Sequence, residues 1–171
     1  MLDQVNGIPS HALFVHAPLV LISLTLLLGL VYVVVPALRP RIDWALVLFA
    51  VAGPVTALLA TLSGERLEAR IGASPAIDHH ASLGELARNL SAVLLVAVLL
   101  LVGVDRLRAR SRRRARALAE GDDPAAPARP AGGAWTVLSV VLSLVLLGVG
   151  AATGTYLVLA GDTGAHMVWA P

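Results

Sequence analysis

Histidine is the one residue type in this chain that could bind a transition metal in quantity, because the 171 residues include five histidines and no cysteine. That absence excludes disulfides, thiolate metal sites, iron–sulfur clusters held by the chain itself and haem attached through C-x-x-C-H. Imidazole nitrogen ligates haem iron, zinc and copper at neutral pH, and two histidines at one level on facing helices form a six-coordinate haem or the core of a metal site. His16 stands 23 residues before Arg39 and His80 stands 26 before Arg106, so on helices both would lie roughly 34 to 39 Å from those arginines. The count predicts that His16 and His80 share a level. His11 is five residues from His16, about 140° around a regular helix, so the two would not face one metal unless the helix is broken. His79 and His166 complete the set.

Other ionisable groups lie near these histidines in the sequence. Arg88 follows His80 by two turns, inside an apolar run, where a charge costs about 2.5–3.5 kcal/mol at full depth and needs a partner. Glu85 is the local candidate; a haem propionate or an anionic substrate is the functional one. Glu65 could accept a hydrogen bond that fixes a histidine tautomer. The plainer reading of all these groups is interfacial: rings wetted by water and headgroups, an Arg88–Glu85 surface pair, and a helix-end charge at Glu65. No nucleophilic triad, phosphate-cradling glycine loop, H-E-x-x-H or paired acid–base set occurs, so hydrolysis and phosphoryl transfer have no candidate residues.

The elements that must position these groups are apolar runs. Hydrophobic residues make up 57% of the chain and charged ones 14%, with a mean hydropathy of +0.81, which excludes a soluble globular enzyme. Four runs long enough to cross a bilayer lie at about 12–38, 44–62, 81–104 and 135–160. They form one transmembrane domain covering 1–171. Ser10 is positioned to cap the first run, and Pro18 should kink it because the Phe14 carbonyl loses its donor. No basic residue precedes this run and it is long for a signal-peptide core, so it reads as a retained span. Residues 105–134 read as a basic, then Pro/Ala-rich cytoplasmic loop, with a flexible linker from Ala117 to Gly133.

Charge placement gives the orientation. All thirteen basic residues are arginine, seven of them between Arg106 and Arg116. Beginning where an apolar run ends, that cluster is an anchor against anionic headgroups rather than a nucleic-acid site. The loops after the first and third runs are therefore cytoplasmic, and both termini and all five histidines face outward. Trp44 and Trp135 sit at run ends, where indoles favour the interface.

Small-residue stripes mark the faces on which such helices pack in lipid. Gly53, Ala57, Ala60 and Gly64 form one; Ser139, Ser143, Gly150 and Gly154 form another. Stepping from His80 gives Gly84, Ala87 and Ser91, whereas His79 leads to Leu83, Leu86 and Leu90. This puts His80 on the packed face and His79 on the lipid face. No internal repeat is visible, since the two hairpin halves offer no matching residues.

The segment Pro9-Ser10-His11-Ala12-Leu13-Phe14-Val15-His16-Ala17-Pro18 resembles the opening of a bacterial membrane family catalogued as domain of unknown function 2231, whose members begin P-x-H-P-x-x-V-H-F-P. Pro9, His11, Val15, His16 and Pro18 match, while Ala12 and Ala17 depart. His80-Ala81 is similar to the H-A pair opening that family's third span, and Gly161 to Trp169 is loosely similar to its closing G-G-x-L-V-Y segment. Members often continue into His-Gly, whereas this chain ends Ala170-Pro171, so a terminal-histidine role would fall on His166. The resemblance implies a four-helix protein of a bacterial plasma membrane, associated with Rieske or cytochrome redox domains.

Together these readings predict an all-α, integral membrane four-helix bundle with both termini outward. Its outer end is expected to hold a cofactor, haem b first, with His16 and His80 as axial ligands and Arg88 as propionate partner, passing electrons to an outward redox protein or a quinone. A zinc or copper site drawing also on His11 and His166 is one alternative. A non-catalytic assembly subunit, packing through its small faces in a homo- or hetero-oligomer, is the other.

Overall fold

The computed structural model describes residues 4–5, 7–120 and 133–169. Two short strands, β1 (Gln4–Val5) and β2 (Ile8–Pro9), pair antiparallel ahead of the helices. Five helices follow: α1 (Ser10–Phe14), α2 (His16–Val34), α3 (Arg39–Ile71), α4 (Pro75–Glu120) and α5 (Gly133–Trp169), with a 3-10 turn at Pro36–Leu38 between α2 and α3. Four stretches are long and apolar enough to cross a membrane: Ser10–Val34, Pro36–Ile71, Pro75–Ala117 and Gly133–Trp169. The protein is a multi-pass, all-α membrane bundle. Leu27, Val34, Val55 and Leu144, each more than half exposed, mark the surface compatible with lipid contact.

The helices run further than the apolar runs that seed them. Once a helix leaves the bilayer, residues of good intrinsic propensity continue it, and Ala, Arg, Glu and Leu rank high. So α3 continues nine residues past Leu62, and α4 carries the arginine run 106–116 as helix where a loop was expected. Of the expected linker from Ala117 to Gly133, residues 117–120 continue α4 and Gly133 opens α5, and residues 121–132 lie outside the described residues. At the other end α4 begins at Pro75, so His79 and His80 are helical rather than preceding the span. Ser74 caps α4 by accepting from the Ile77 N–H at 3.3 Å, with Pro75 in the first turn. Gly72, at φ +90°, ends α3 in a conformation that side chains disfavour.

Two local expectations at the N-terminal end change. The first span is broken at Val15, three residues before Pro18, consistent with the lost donor to Phe14; α1 and α2 are separate helices. Ser10 is the first residue of α1 and is buried, and Pro9 occupies the capping position with no side-chain cap.

The four long helices make an up-down bundle in which α2 and α4 lie on one diagonal, α3 and α5 on the other. Ser10 and Trp169 accordingly lie at one end, the histidine end. Around the bundle, the α2–α5 seam is the least populated of the four. Packed faces are those the stripes marked: Gly53, Ala57 and Ala60 on α3, Ala87 and Ser91 on α4, and Ser139, Ser143 and Gly150 on α5 are buried, while His79 is exposed. The buried hydroxyls of Thr25, Ser91, Ser143 and Thr153 each donate to a carbonyl three or four residues back on their own helix, so they are satisfied locally.

The two hairpins repeat one another, although they share few residue types. Buried positions follow His11 at 7, 11, 14, 18 and 21 residues: Pro18, Ile22, Thr25, Gly29 and Tyr32. The same offsets from His80 give Ala87, Ser91, Leu94, Val98 and Leu101, also buried. On the returning helices, Leu46, Ala50 and Gly53 of α3 correspond to Leu146, Gly150 and Thr153 of α5, each 100 residues later and each buried. Continuing that register pairs Ala60, Ser63 and Gly64 with Ala160, Thr163 and Gly164.

At the end opposite the histidines, the network centres on Asp105 of α4. Its carboxylate accepts from Tyr32 Oη of α2 at 3.2 Å, from Arg39 Nη1 of α3 at 2.9 Å and from Ser139 Oγ of α5 at 3.0 Å. One side chain thereby ties all four long helices. Arg39 also donates to the Tyr32 carbonyl at 2.8 Å and lies 5.1 Å over its ring, and Arg106 pairs with Asp43 at 2.8 Å.

Candidate metal centre

His11 enters the bundle from α1 and His80 from α4, and their rings meet edge to face with centroids 6.2 Å apart. His11 Nδ1 is 2.9 Å from the Ala60 carbonyl and 3.3 Å from Ser63 Oγ. Since Ser63 spends its own proton on the Ala60 carbonyl at 2.8 Å, both oxygens can only accept from this nitrogen, so Nδ1 of His11 carries the hydrogen. His80 repeats the arrangement. Its Nδ1 lies 3.1 Å from Thr163 Oγ1, whose proton goes to the Leu159 and Ala160 carbonyls at 2.9 and 3.1 Å. A ring that is neutral with its hydrogen on Nδ1 has its lone pair on Nε2, and neither Nε2 has a hydrogen-bond partner among the described residues.

Glycines let the rings lie this close. A Cβ on Gly64 would come within 3.1 Å of His11 Cε1, and one on Gly164 within 3.0 Å of His80 Cε1. Each ring therefore rests on the backbone of the helix that anchors it, and the motif A-x-x-[ST]-G occurs once on α3 and once on α5.

The other expected site residues are placed elsewhere. His16 is exposed, so the partner of His80 is His11 and the His16–His80 pair is not formed. His166 is exposed near the end of α5, with Nδ1 donating to the Asp162 carbonyl at 3.0 Å. Arg88 donates to Thr61 Oγ1 of α3 and to Asn89 Oδ1, each at 3.2 Å, rather than to Glu85, which is exposed. Glu65 is exposed too; the tautomer-fixing role imagined for it belongs to Ala60, Ser63 and Thr163. Among the described residues no group of three or more His, Cys, Asp or Glu is arranged to hold a metal. Beside His11 opens a cleft of about 10 Å³, room for one water-sized sphere, lined by Ser10, Ser63, Arg66 and Arg70.

This geometry defines a class: a multi-pass four-helix membrane bundle with two anchored imidazoles at one end. The chain matches no family model, no curated protein and no solved structure.

Proposed function

We propose that His11 and His80 form a metal-binding centre at the outward face of the membrane, and that its ion is copper(I). The observation that carries this reading is the pair itself: two rings 6.2 Å apart, each held through Nδ1 so that Nε2 remains a free donor. Metal–imidazole bonds are about 2.0 Å and a ring nitrogen lies about 1.1 Å from its centroid, so two rings whose Nε2 atoms turn to opposite sides of one ion would have centroids about 6.2 Å apart; from their near-perpendicular, edge-on arrangement the rings would reach this by rotation about their anchored Nδ1. Anchoring the second nitrogen to a carbonyl or hydroxyl is how proteins orient a ligating histidine. Copper(I) is satisfied by two nitrogen ligands, whereas zinc takes three or four protein ligands. An outward orientation is supported by the arginine distribution.

Haem b is the second reading, favoured by the same ring spacing because it also needs only two axial imidazoles. Against it stand the contact between the two rings, 6.2 Å apart with each packed on a helix backbone, and the engagement of Arg88 with Thr61 and Asn89. A porphyrin would have to part the helices that grip the rings.

The test is anaerobic copper(I) competition on the detergent-purified chain. One copper per chain is expected, with affinity falling about 100-fold in H11A and in H80A and unchanged in H16A, H79A and H166A. Equal copper binding by the H11A/H80A double variant overturns the proposal, and absence of stoichiometric copper from the wild type overturns it in favour of an assembly subunit. A Soret band with a sharp α-band after reduction of haem-replete protein overturns it in favour of haem.

A further inference from the structure

Arg88 lies within the membrane-spanning stretch Pro75–Ala117, partly buried on the seam between α3 and α4. Its two partners are neutral: Nη1 donates to Thr61 Oγ1 and Nε to Asn89 Oδ1. Thr61 gives its own proton to the Leu58 carbonyl at 2.9 Å, so it can only accept. The guanidinium therefore keeps its full charge, and its Nη2 donors have no partner among the described residues. A charge held inside a membrane span is costly, and by default it marks a function whose counter-charge has to be named.

The internal repeat shows that the fold does not require this charge. Arg88 follows His80 by eight residues as Leu19 follows His11, and Thr61 corresponds to Gly161. The equivalent contact is apolar, with Leu19 Cδ1 3.9 Å from a Cβ added on Gly161. Glu85 and Glu65, one turn nearer the histidine end than Arg88 and Thr61, correspond to His16 and Ala165. Arg88, Glu65 and Glu85 thus form a charged set on one seam that the other seam lacks.

These charges are ordered along the membrane normal. Arg88 is 18 residues from Arg106 (106 − 88), Thr61 is 18 from Asp43 (61 − 43), and Arg106 pairs with Asp43. That length of helix spans about 27 Å and the hydrocarbon layer is about 30 Å thick, so with Arg106 at one edge Arg88 lies just inside the other. Side chains on α4 tilt toward its N-terminus, which carries the guanidinium out to the level of lipid phosphates. Glu85 and Glu65 stand about 4.5 and 6 Å further out. Both are exposed, and neither makes a hydrogen bond or ion pair with the described residues.

We propose that this seam binds a phospholipid with a phosphoethanolamine headgroup, the guanidinium of Arg88 holding the phosphate and the carboxylates of Glu65 and Glu85 receiving the ammonium. In such a lipid the phosphate adjoins the glycerol and the ammonium is the free end, so ligand and protein present complementary charges in the same order. Guanidinium matches phosphate oxygens with paired N–H donors, and a primary ammonium has three N–H groups for charge-assisted bonds to carboxylates. A choline headgroup has the same net charge but no N–H. Phosphatidylglycerol has the phosphate but no ammonium, and the two carboxylates repel it. The site needs neither a metal nor the histidine pair.

The experiment uses the full chain, without metal, in nanodiscs holding equal parts of phosphatidylethanolamine, phosphatidylcholine and phosphatidylglycerol with identical acyl chains. Native mass spectrometry of the released protein reads the lipid retained. Wild type is expected to retain phosphatidylethanolamine about tenfold over either of the others. R88L, which copies the counterpart position Leu19, should lower that retention about tenfold, and E65Q/E85Q should erase the preference over phosphatidylcholine. Circular dichroism checks that the variants are folded; E65Q/E85Q alters only exposed side chains, so it tests the proposal even where R88L does not fold. Equal retention of the three lipids by wild type overturns the proposal, as does an unchanged preference in E65Q/E85Q. Preferential retention of phosphatidylglycerol, lost in R88L, overturns it in favour of a plain anion site. Failure of copper binding would leave these readouts untouched.

Discussion

His80 and His11 meet because the backbone beneath each ring has no side chain. Gly64 and Gly164 are one residue beyond the hydroxyl that holds the ring, so a side chain there displaces the imidazole without removing it. Gly164→Leu is expected to abolish copper(I) binding while the chain remains helical, measured by competition titration beside circular dichroism. Retained affinity would mean that the ring finds a second productive position. The hydroxyls act more gently: Thr163→Ala removes the side-chain partner of His80 Nδ1 and should weaken copper(I) about tenfold in the same titration, whereas Ser63→Ala leaves His11 Nδ1 on the Ala60 carbonyl and should weaken it less. His11 and His80 also stand at closely matched levels. His11 lies 28 residues before Arg39 and His80 lies 26 before Arg106, a difference of about 3 Å. His16 fits that count less well, by about one residue, and a break at Val15 separates it from the helix that carries His11.

At the scale of elements, the bundle is two copies of one hairpin, each with a histidine at the start of its first helix and A-x-x-[ST]-G near the end of its second. If the two clamps are equivalent, their hydroxyls are interchangeable. The S63T/T163S double variant is therefore expected to keep wild-type melting temperature and copper(I) affinity, within about 0.5 kcal/mol, and a larger loss would show that the halves have diverged in function. Much of this fold was legible in advance. Run length gave four spans, the small-residue stripes gave the packed faces, and stepping from His80 separated it from His79. The repeat was hard to read because most corresponding positions share burial rather than residue type: Ile22 stands for Ser91, Thr25 for Leu94, Tyr32 for Leu101, and the shared signal is confined to the histidines and A-x-x-[ST]-G. The register also shifts, from 69 residues between the histidines (80 − 11) to 100 between the returning helices (160 − 60), because the second hairpin's arginine-bearing connection is 31 residues longer. Helix ends were misplaced for a different reason. Hydropathy reports where the bilayer ends, whereas capping at Ser74 and chain reversal at Gly72 decide where the helices end.

At the scale of the whole molecule the two ends are built differently. The histidine end is clamped hairpin by hairpin, each ring tying its own pair of helices, with the two rings meeting between. The arginine end is clamped by a single carboxylate, Asp105, shared among Tyr32, Arg39 and Ser139, and this residue carried a visible signal as the lone acid opening the basic run. Between the ends the α2–α5 seam is sparse, leaving an apolar groove of about 250 Å³ bordered by Gly29, Leu146 and Gly150. Gly150 faces Leu26 there at 3.2 Å for an added Cβ, so its small size serves this chain's own packing rather than an outer seam. Holding the four helices together therefore falls heavily on Asp105. Replacing it by alanine strands the Arg39 guanidinium, whose side chain is 20% exposed, and removes three hydrogen bonds at once. The partial exposure of Arg39 keeps the cost below the 3–5 kcal/mol of a fully buried pair, and about 2 kcal/mol is expected. Tyr32→Phe, which removes one bond and leaves the Arg39–Asp105 pair intact, should cost about 1 kcal/mol. Both are read as shifts in thermal unfolding of the detergent-solubilised chain. The histidine pair lies 25 residues along α4 from Asp105, about 38 Å away, and shares no partner with it. Copper(I) stoichiometry in Asp105→Ala is thus expected to equal that of wild type wherever the variant is folded. Loss of copper binding below the variant's unfolding transition would show that the two ends are coupled through the bundle.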